Sequence, residues 1–386
     1  MPRTTAPSIP KPTPEELIRK TFARFVDQEI IPVARQMDEA DQFPRWMFEK
    51  IARTGAYGIR YPRSVGGAGG NTTQFCVMVE ELARGSMSVA AFTAMQCLMG
   101  TNFLYEYGTP DQHERLLKPA IKGEKVASFA LTEADAATDL GGVKTLAVRD
   151  GDHWVINGSK TWITNAPVAD FFTVLCQTDK SKGLKGLNFF LIERGTPGLY
   201  VSKKFEKLGT RATEISELAF TDVRVPFENR LGKEGQGVGN LMRILAVIRV
   251  MTAALSLGLA RAAFDHSTRY SLERKQFGKR IGSFQLVQQK IGNMATSIWA
   301  SHLMTYKAAE MIDQGQRALK EASMAKYFAS ETACKAADEA TRIFGAYSYS
   351  MEYDVQRFYR DCRFLLFGGG TSEILQTIIS RECGVF

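Results

Sequence analysis

Cysteine and histidine are both scarce in this 386-residue chain, six of one and four of the other. The cysteines (Cys76, Cys97, Cys176, Cys334, Cys362 and Cys383) stand far apart with no CxxC pair, and the histidines show no ligand spacing. A zinc site and a disulfide framework are therefore excluded, no metal is expected, and reduced thiols in a cytoplasmic setting are the default. No unbroken run of about 18 apolar residues occurs, the least that reads as a membrane-spanning helix, so no membrane insertion is expected. The opening stretch through Pro12 lacks the apolar segment of a secretory signal, and its four prolines preclude an amphipathic transit helix. Residues 1–13 read as a loose arm. Lysine and arginine (49) outnumber aspartate and glutamate (41), but the excess forms no basic run that could track a nucleic-acid backbone. Small anionic molecules fit better. A complete GxGxxG is missing too: Gly66–Gly70 follows no strong strand, and Gly235-Gln236-Gly237-Val238-Gly239-Asn240 lacks its third glycine. A nicotinamide-binding fold is disfavoured.

What is present is the composition of a globular protein, 45% hydrophobic and 23% charged, long enough for several domains. Thr13-Pro14-Glu15-Glu16 predicts a helix start in which Thr13 caps, Pro14 fills the first turn and Glu16 closes a capping box. Thr109-Pro110-Asp111-Gln112 repeats that start. Helical spacing over 48–53, 72–84 and 89–107 makes residues 14–123 mainly helical. From 124 the pattern changes to short alternating runs, with Asp150-Gly151 and Asn157-Gly158 each predicting a tight hairpin. Strands are predicted over 171–176, 187–192, 200–205 and 218–225, giving a β-domain over 124–235, a sandwich or barrel. Long helical stretches at about 238–271, 284–313, 318–345 and 371–382 predict an antiparallel bundle over 236–386. The fold class is α+β, ordered helical, β, helical.

Four segments carry chemistry. Phe129-Ala130-Leu131-Thr132 through Thr138 is a strand end whose hydroxyls and free N–H groups suit an anion or a ring's polar edge, or else an ordinary strand-to-loop passage. In Ser159-Lys160-Thr161-Trp162-Ile163-Thr164, alternation puts Trp162 and Thr164 on one face, a platform for a flat heteroaromatic ring or plain core. Arg274-Lys275-Gln276-Phe277-Gly278-Lys279 sets cations past a long helix, suited to pyrophosphate or to solvent. Phe367-Gly368-Gly369-Gly370-Thr371-Ser372-Glu373 leads glycines into a helix start that can hold an anion, or a bare turn.

In this order, and with Lys207-Leu208-Gly209-Thr210-Arg211, Phe220-Thr221-Asp222-Val223-Arg224-Val225-Pro226 and Arg357-Phe358-Tyr359-Arg360-Asp361, these segments resemble the acyl-CoA dehydrogenase family of flavoproteins over about 14–383. The resemblance implies an N-terminal helical domain, a central β-domain and a C-terminal four-helix bundle, a homotetramer with FAD in each subunit, and electron-transfer flavoprotein as acceptor. By motif, Phe129, Leu131, Thr132 and Thr138 would hold the flavin and its phosphates, and Trp162 and Thr164 would lie against the isoalloxazine. Arg274, Phe277 and Gln285 would bind a neighbouring subunit's FAD, and Arg342, Gly345, Ala346, Thr371 and Glu373 match the remaining contacts. Ala346 and Ser348 replace usual glycines, and Arg342 a usual glutamine. Thr138, Arg249, Met95 and Met99 are the expected substrate-binding residues.

Oxidation across Cα–Cβ needs a base for the α-proton while the β-hydrogen leaves as hydride. In most of the family this is a glutamate two residues before the Thr-Ser-Glu, here Gly369; in a minority it precedes the arginine matching Arg249, here Ile248. With both positions empty, the catalytic base is unknown. The resemblance then implies a dehydrogenase of a short, branched or cyclic acyl-CoA with a displaced base. Alternatives are a redox-neutral lyase like the 3-sulfinopropionyl-CoA desulfinases, a flavin monooxygenase relative, disfavoured by Gly-Thr-Ser-Glu-Ile and Arg-Lys-Gln-Phe-Gly, and a non-catalytic scaffold that retains FAD.

Overall fold

The computed structural model describes residues 12–385, so all but Pro12 and Thr13 of the expected arm lie outside the described residues. Thr13 caps α1 (Pro14–Phe25): its hydroxyl accepts the Glu16 N–H at 3.2 Å, and the Glu16 carboxylate accepts the Thr13 N–H at 2.8 Å. One wide turn, Val26–Ile30, leads into α2 (Ile31–Ala40), followed by α3 (Arg45–Ala52), α4 (Thr72–Gly85) and α5 (Met87–Ala94). The helix expected over 89–107 is interrupted. A wide turn at Met95–Met99 precedes α6 (Asn102–Tyr107), because the Thr101 hydroxyl takes the Gln96 carbonyl at 2.6 Å in place of a continued ladder. Thr109 and Gln112 form the second capping box ahead of the short α7 (Pro110–Gln112), and α8 (Lys118–Ile121) closes the helical region.

The strands follow: β1 (Ala127–Ala130), β2 (Leu146–Asp150), β3 (His153–Thr164), β4 (Phe171–Gln177), β5 (Leu187–Glu193), β6 (Leu199–Val201), β7 (Ile215–Pro226) and β8 (Arg230–Leu231). They hydrogen-bond in the order β6-β7-β3-β2-β4-β5-β8, with β1 added in parallel to β4. On one edge β4 carries β1 at 171–174 and then meets β2 at Gln177, so the sheet splits there into two leaves. Asp150-Gly151 makes the expected hairpin, pairing Asp150 with His153. Asn157-Gly158 does not turn. It lies inside β3 at a register shift against β7, with Gly158 at φ +141° and pressed on Thr145, whose Cα an added Cβ would meet at 2.6 Å. The glycine therefore serves a bulge rather than a loop. The strand expected over 200–205 is only β6.

Helix α9 (Gly237–Glu273) then runs for 37 residues and packs on α4, α10 (Gln285–Asp313) and α11 (Leu319–Phe344). Between α9 and α10 sits the hairpin β9 (Lys275–Gln276) and β10 (Lys279–Arg280). Small residues make the α9–α11 approach close: Ala253, Ala254 and Ala260 face the interior from α9, and Ala325, Ala329 and Ala333 from α11. By length and composition α9 could cross a membrane, although it holds no unbroken apolar run of that length, but 83% of its most apolar window is buried inside the fold. That apolarity answers to packing. Helix α12 (Asp354–Asp361) has no counterpart among the helices expected from the sequence; the last helix, α13 (Ser372–Glu382), starts one residue later than expected.

Candidate active site

Two strands bring the first group together. The Thr161 N–H donates to the Thr132 carbonyl at 2.9 Å, the Lys160 ammonium to the Leu131 carbonyl at 3.0 Å, and the Ser128 hydroxyl to the Thr164 carbonyl at 2.6 Å. Leu131, Thr132, Trp162 and Thr164 thus lie side by side. Behind them Lys160, wholly buried, pairs with Glu133 at 2.8 Å, and that carboxylate also accepts the Lys144 and Thr145 N–H groups at 2.7 and 3.0 Å. Burial pushes the Glu133 carboxyl up, but Lys160 and these N–H donors outweigh it and hold it below its ordinary value. The pair fixes the loop from Leu131 to Thr145.

Trp162 stands out from this platform. A second register shift in β3, between Lys160 and Ile163, puts Trp162 at φ +60°, an uncommon conformation for a bulky residue, and leaves its side chain 62% exposed while Ile163 is buried. Among the described rings it meets Phe205, edge to face with the ring centres 5.0 Å apart. A kinked strand offering an open indole beside a hydroxyl and free main-chain groups fits one face and edge of a flavin. Phe129 differs: its ring is buried against Phe103 and Phe189, leaving main chain alone for a ligand. Thr138 is exposed in the loop that follows.

A second group gathers where α9, α11 and the glycine turn meet. Gly369 has φ +72°, and a Cβ built on it would lie 3.0 Å from the Thr252 hydroxyl and 3.5 Å from Ile248 Cγ2. The two positions inspected for a base are thus adjacent in space, although far apart in sequence. Arg249, 4% exposed, donates from Nη1 to the Ser323 hydroxyl at 3.0 Å, while its buried Nε has no partner. Burial alone, with no carboxylate opposing it, pushes this guanidinium below its ordinary value. Lys326, one turn beyond Ser323 and missed by sequence reasoning, is wholly buried; it holds the Gly370 carbonyl at 2.6 Å and the Leu366 carbonyl at 3.2 Å. Burial, helped by Arg249, brings its pKa down to about 8. On the far side of the turn Ser372 donates to Glu331 at 2.6 Å, and Thr371 caps α13, with Glu373 exposed in its first turn. Met95 is buried and Met99 half-buried, both in the wide turn before α6.

A third group forms around β9 and β10. Phe277, 91% exposed, sits edge-on to Phe284, next to Gln285, and the Arg274 guanidinium lies 5.4 Å from the Tyr347 ring centre, which ties it to the turn holding Gly345 and Ala346. Arg342 is engaged by Asp338 at 2.7 Å. Among the described residues, no hydrogen bond or ring contact joins this group to Trp162 or Thr164 within one chain. A polar cleft of about 400 Å³ lies elsewhere, between α7 and the sheet, where Arg115 pairs with Asp111 and Glu193; it includes none of the residues expected to bind FAD or substrate.

Comparison with known proteins bears on the whole chain. Residues 13–124, 128–223 and 235–384 match family models described as the acyl-CoA dehydrogenase N-terminal, middle and C-terminal domains. The chain is 48% identical over 369 residues to a benzylmalonyl-CoA dehydrogenase of Aromatoleum aromaticum, covering 95% of this chain and 97% of that one. It is 39% identical, with the same coverage, to the subunit CarC of a caffeyl-CoA reductase-Etf complex of Acetobacterium woodii. The butyryl-CoA dehydrogenase structure from Megasphaera elsdenii superposes with a TM-score of 0.93 at 34% identity, covering 97% of this chain and 99% of that one.

Proposed function

This chain belongs to the acyl-CoA dehydrogenase family of flavoprotein oxidoreductases and uses FAD, and on that premise we propose that it oxidises the Cα–Cβ bond of an acyl-CoA, with the α-proton passing to a base displaced from positions 369 and 248. The observation that carries the oxidative reading is the open platform of Trp162 and Thr164 beside Leu131 and Thr132. FAD supplies an acceptor for the β-hydrogen and its electron pair. Trp162 would back the ring system, Thr164 would orient it by hydrogen bonding, Thr132 and Thr138 would hold the phosphate side, and Thr371 and Glu373 the turn at its far end. Gly369 and Ile248 would border the α-carbon, so the residues that usually remove the proton are replaced by a hydrogen and an alkyl group.

The acyl group we assign carries an aryl ring. Relatives named for benzylmalonyl and caffeyl thioesters support this, as do Met95, Met99 and Ile248, whose apolar side chains would exclude water. Electrons would pass to an electron-transfer flavoprotein, the partner in the name of the caffeyl-CoA reductase-Etf complex. Arg274, Phe277 and Gln285 would complete a neighbouring subunit's FAD site in a cytoplasmic homotetramer, which suits a group that one chain keeps away from its own platform.

The test is an anaerobic titration of holoprotein with acyl-CoAs, read by flavin absorbance and product analysis. Bleaching with one enoyl-CoA formed per flavin is expected. Product formed while the flavin stays oxidised would replace this reading with a redox-neutral elimination.

A further inference from the structure

We propose that Cys334 and Cys362 form a peroxide-responsive thiol pair, in which hydrogen peroxide attacks Cys334 and Cys362 then closes a reversible disulfide onto it. The inference does not depend on the acyl-CoA reading. All six cysteines are free in the structure. Cys76, Cys97 and Cys176 are wholly buried, and burial pushes each thiol up, that of Cys176 to about 12, so they offer no thiolate to a reagent in solvent. Cys383 is exposed near the end of the chain. The remaining two meet across the interface of α11 with the end of α12, although 28 positions separate them. The half-buried Cys334 thiol donates to the Cys362 carbonyl at 3.4 Å, and the buried Cys362 thiol donates to the Tyr359 carbonyl at 3.2 Å. Cys362 is held in place from its other side, because the preceding residue, Asp361, is buried and accepts the Thr210 N–H at 2.6 Å.

The environment divides the two roles. The Cys362 S–H supports a thiolate at Cys334, and the Arg363 guanidinium adds to it; burial and Glu331 oppose them and are outweighed, so Cys334 lies below the ordinary thiol value. The same contact, with burial and Asp361, pushes Cys362 up and keeps it protonated. A half-buried thiolate beside a cation is the nucleophile, and the neighbouring thiol is the resolving group. In the first step the Cys334 sulfur gives two electrons to hydrogen peroxide: an S–O bond forms, the O–O bond breaks, and the departing hydroxide takes a proton and leaves as water. In the second, Cys362 attacks that sulfur: the S–S bond forms, the S–O bond breaks, and the hydroxyl leaves with the Cys362 proton as a second water. Two thiols and one peroxide become one disulfide and two waters. Contact between the thiols closes the bond before further peroxide can carry Cys334 to the irreversible sulfinic acid. Such a bond is transient, of the kind that senses oxidant in a reducing compartment, and no part of a structural framework.

The holoprotein is treated with hydrogen peroxide, its remaining thiols are blocked with N-ethylmaleimide, and its tryptic peptides are mapped by mass. At about one equivalent of peroxide per chain the expected product joins peptides 327–335 and 361–363, lighter by two hydrogens than the separate pair and fully released by dithiothreitol. The Cys334 thiol should disappear about 10-fold faster than that of Cys383. Cys362→Ser should let dimedone label Cys334 and, with more peroxide, accumulate the sulfinic acid there; Cys334→Ser should slow oxidation of Cys362 about 10-fold. Oxidation that begins at Cys383, sulfinic acid at Cys334 in the wild type without the linked peptides, or no change at either thiol overturns the inference. Unslowed oxidation of Cys362 in Cys334→Ser overturns the assignment of Cys334 as the attacked thiol. The wild-type map decides the matter even if a variant fails to fold.

Discussion

Arg249 and Arg261 stand twelve residues apart on α9, and each is largely withdrawn from solvent. Arg261 reaches Glu80 and, at 2.7 Å, Glu81 on α4; Arg19 donates to the same two carboxylates, Arg84 pairs with Glu81, and the Tyr306 hydroxyl donates to Glu80. Burial works against the charge on Arg261, but these carboxylates outweigh it and hold its pKa above the ordinary value, whereas at Arg249 burial acts unopposed. One arginine joins the N-terminal helices to the bundle; the other weakens its surroundings unless something else arrives. Completeness of pairing is what separates these two buried charges.

The comparison breaks most visibly at the paired end. Arg261→Met leaves Glu80 and Glu81 short of a cation in a buried junction, and we expect a loss of about 3 kcal/mol, the low end for removing one partner of a buried pair because Arg19 and Arg84 remain. Urea denaturation of the variant measures it. A change below about 0.5 kcal/mol, the scale of a surface substitution, would mean that the network is ornamental and that pairing says nothing about purpose.

Lys326 sharpens the comparison through pH. Its pKa falls from 10.5 to about 8 in the fold, so the folded protein binds fewer protons than the unfolded chain between those values. The full penalty for the buried charge is present below about pH 8 and fades as pH rises toward 10.5. Relative to Lys326→Met, the wild type should therefore gain about 2 kcal/mol on going from pH 7 to pH 10. A flat difference between the two denaturation midpoints would show that the ammonium is already compensated by the Gly370 and Leu366 carbonyls.

Motif chemistry was the legible part of this molecule. The order helical, β, helical, both Thr-Pro capping boxes and the four bundle helices could be read because caps and periodicity are local, and local signals survive in sequence. Gly158 misled for the same reason: an Asn-Gly pair looks alike in a hairpin and in a bulge, and only Thr145, brought against it by β2, decides between them. Trp162 is exposed and Ile163 buried, as alternation predicts, but the left-handed kink at Trp162 comes from a register shift against β7 that no spacing encodes. Lys326 lies in an alanine-rich helix as one more lysine; its burial follows from where the turn at Leu366–Gly370 lands on α11. Gly369 and Ile248 could be read as missing acids, whereas the unpaired guanidinium beside them became visible only once α9 and α11 were packed together.

The smallest expected effect separates the two arginines most cleanly. Arg249→Met removes a buried cation whose only hydrogen-bond partner among the described residues is the Ser323 hydroxyl and replaces it with an apolar side chain of similar reach. The hydroxyl is not stranded, because it already donates to the Leu319 carbonyl at 2.6 Å. Losing an uncompensated buried charge should therefore leave ligand-free stability unchanged or raise it by about 1 kcal/mol, against the 3 kcal/mol loss expected for the same substitution at Arg261. Paired urea melts of Arg249→Met and Arg261→Met on one preparation scale give both numbers. If the two variants lose stability equally, Arg249 is holding the bundle together through contacts of its alkyl stem, and its free Nε is no mark of a ligand.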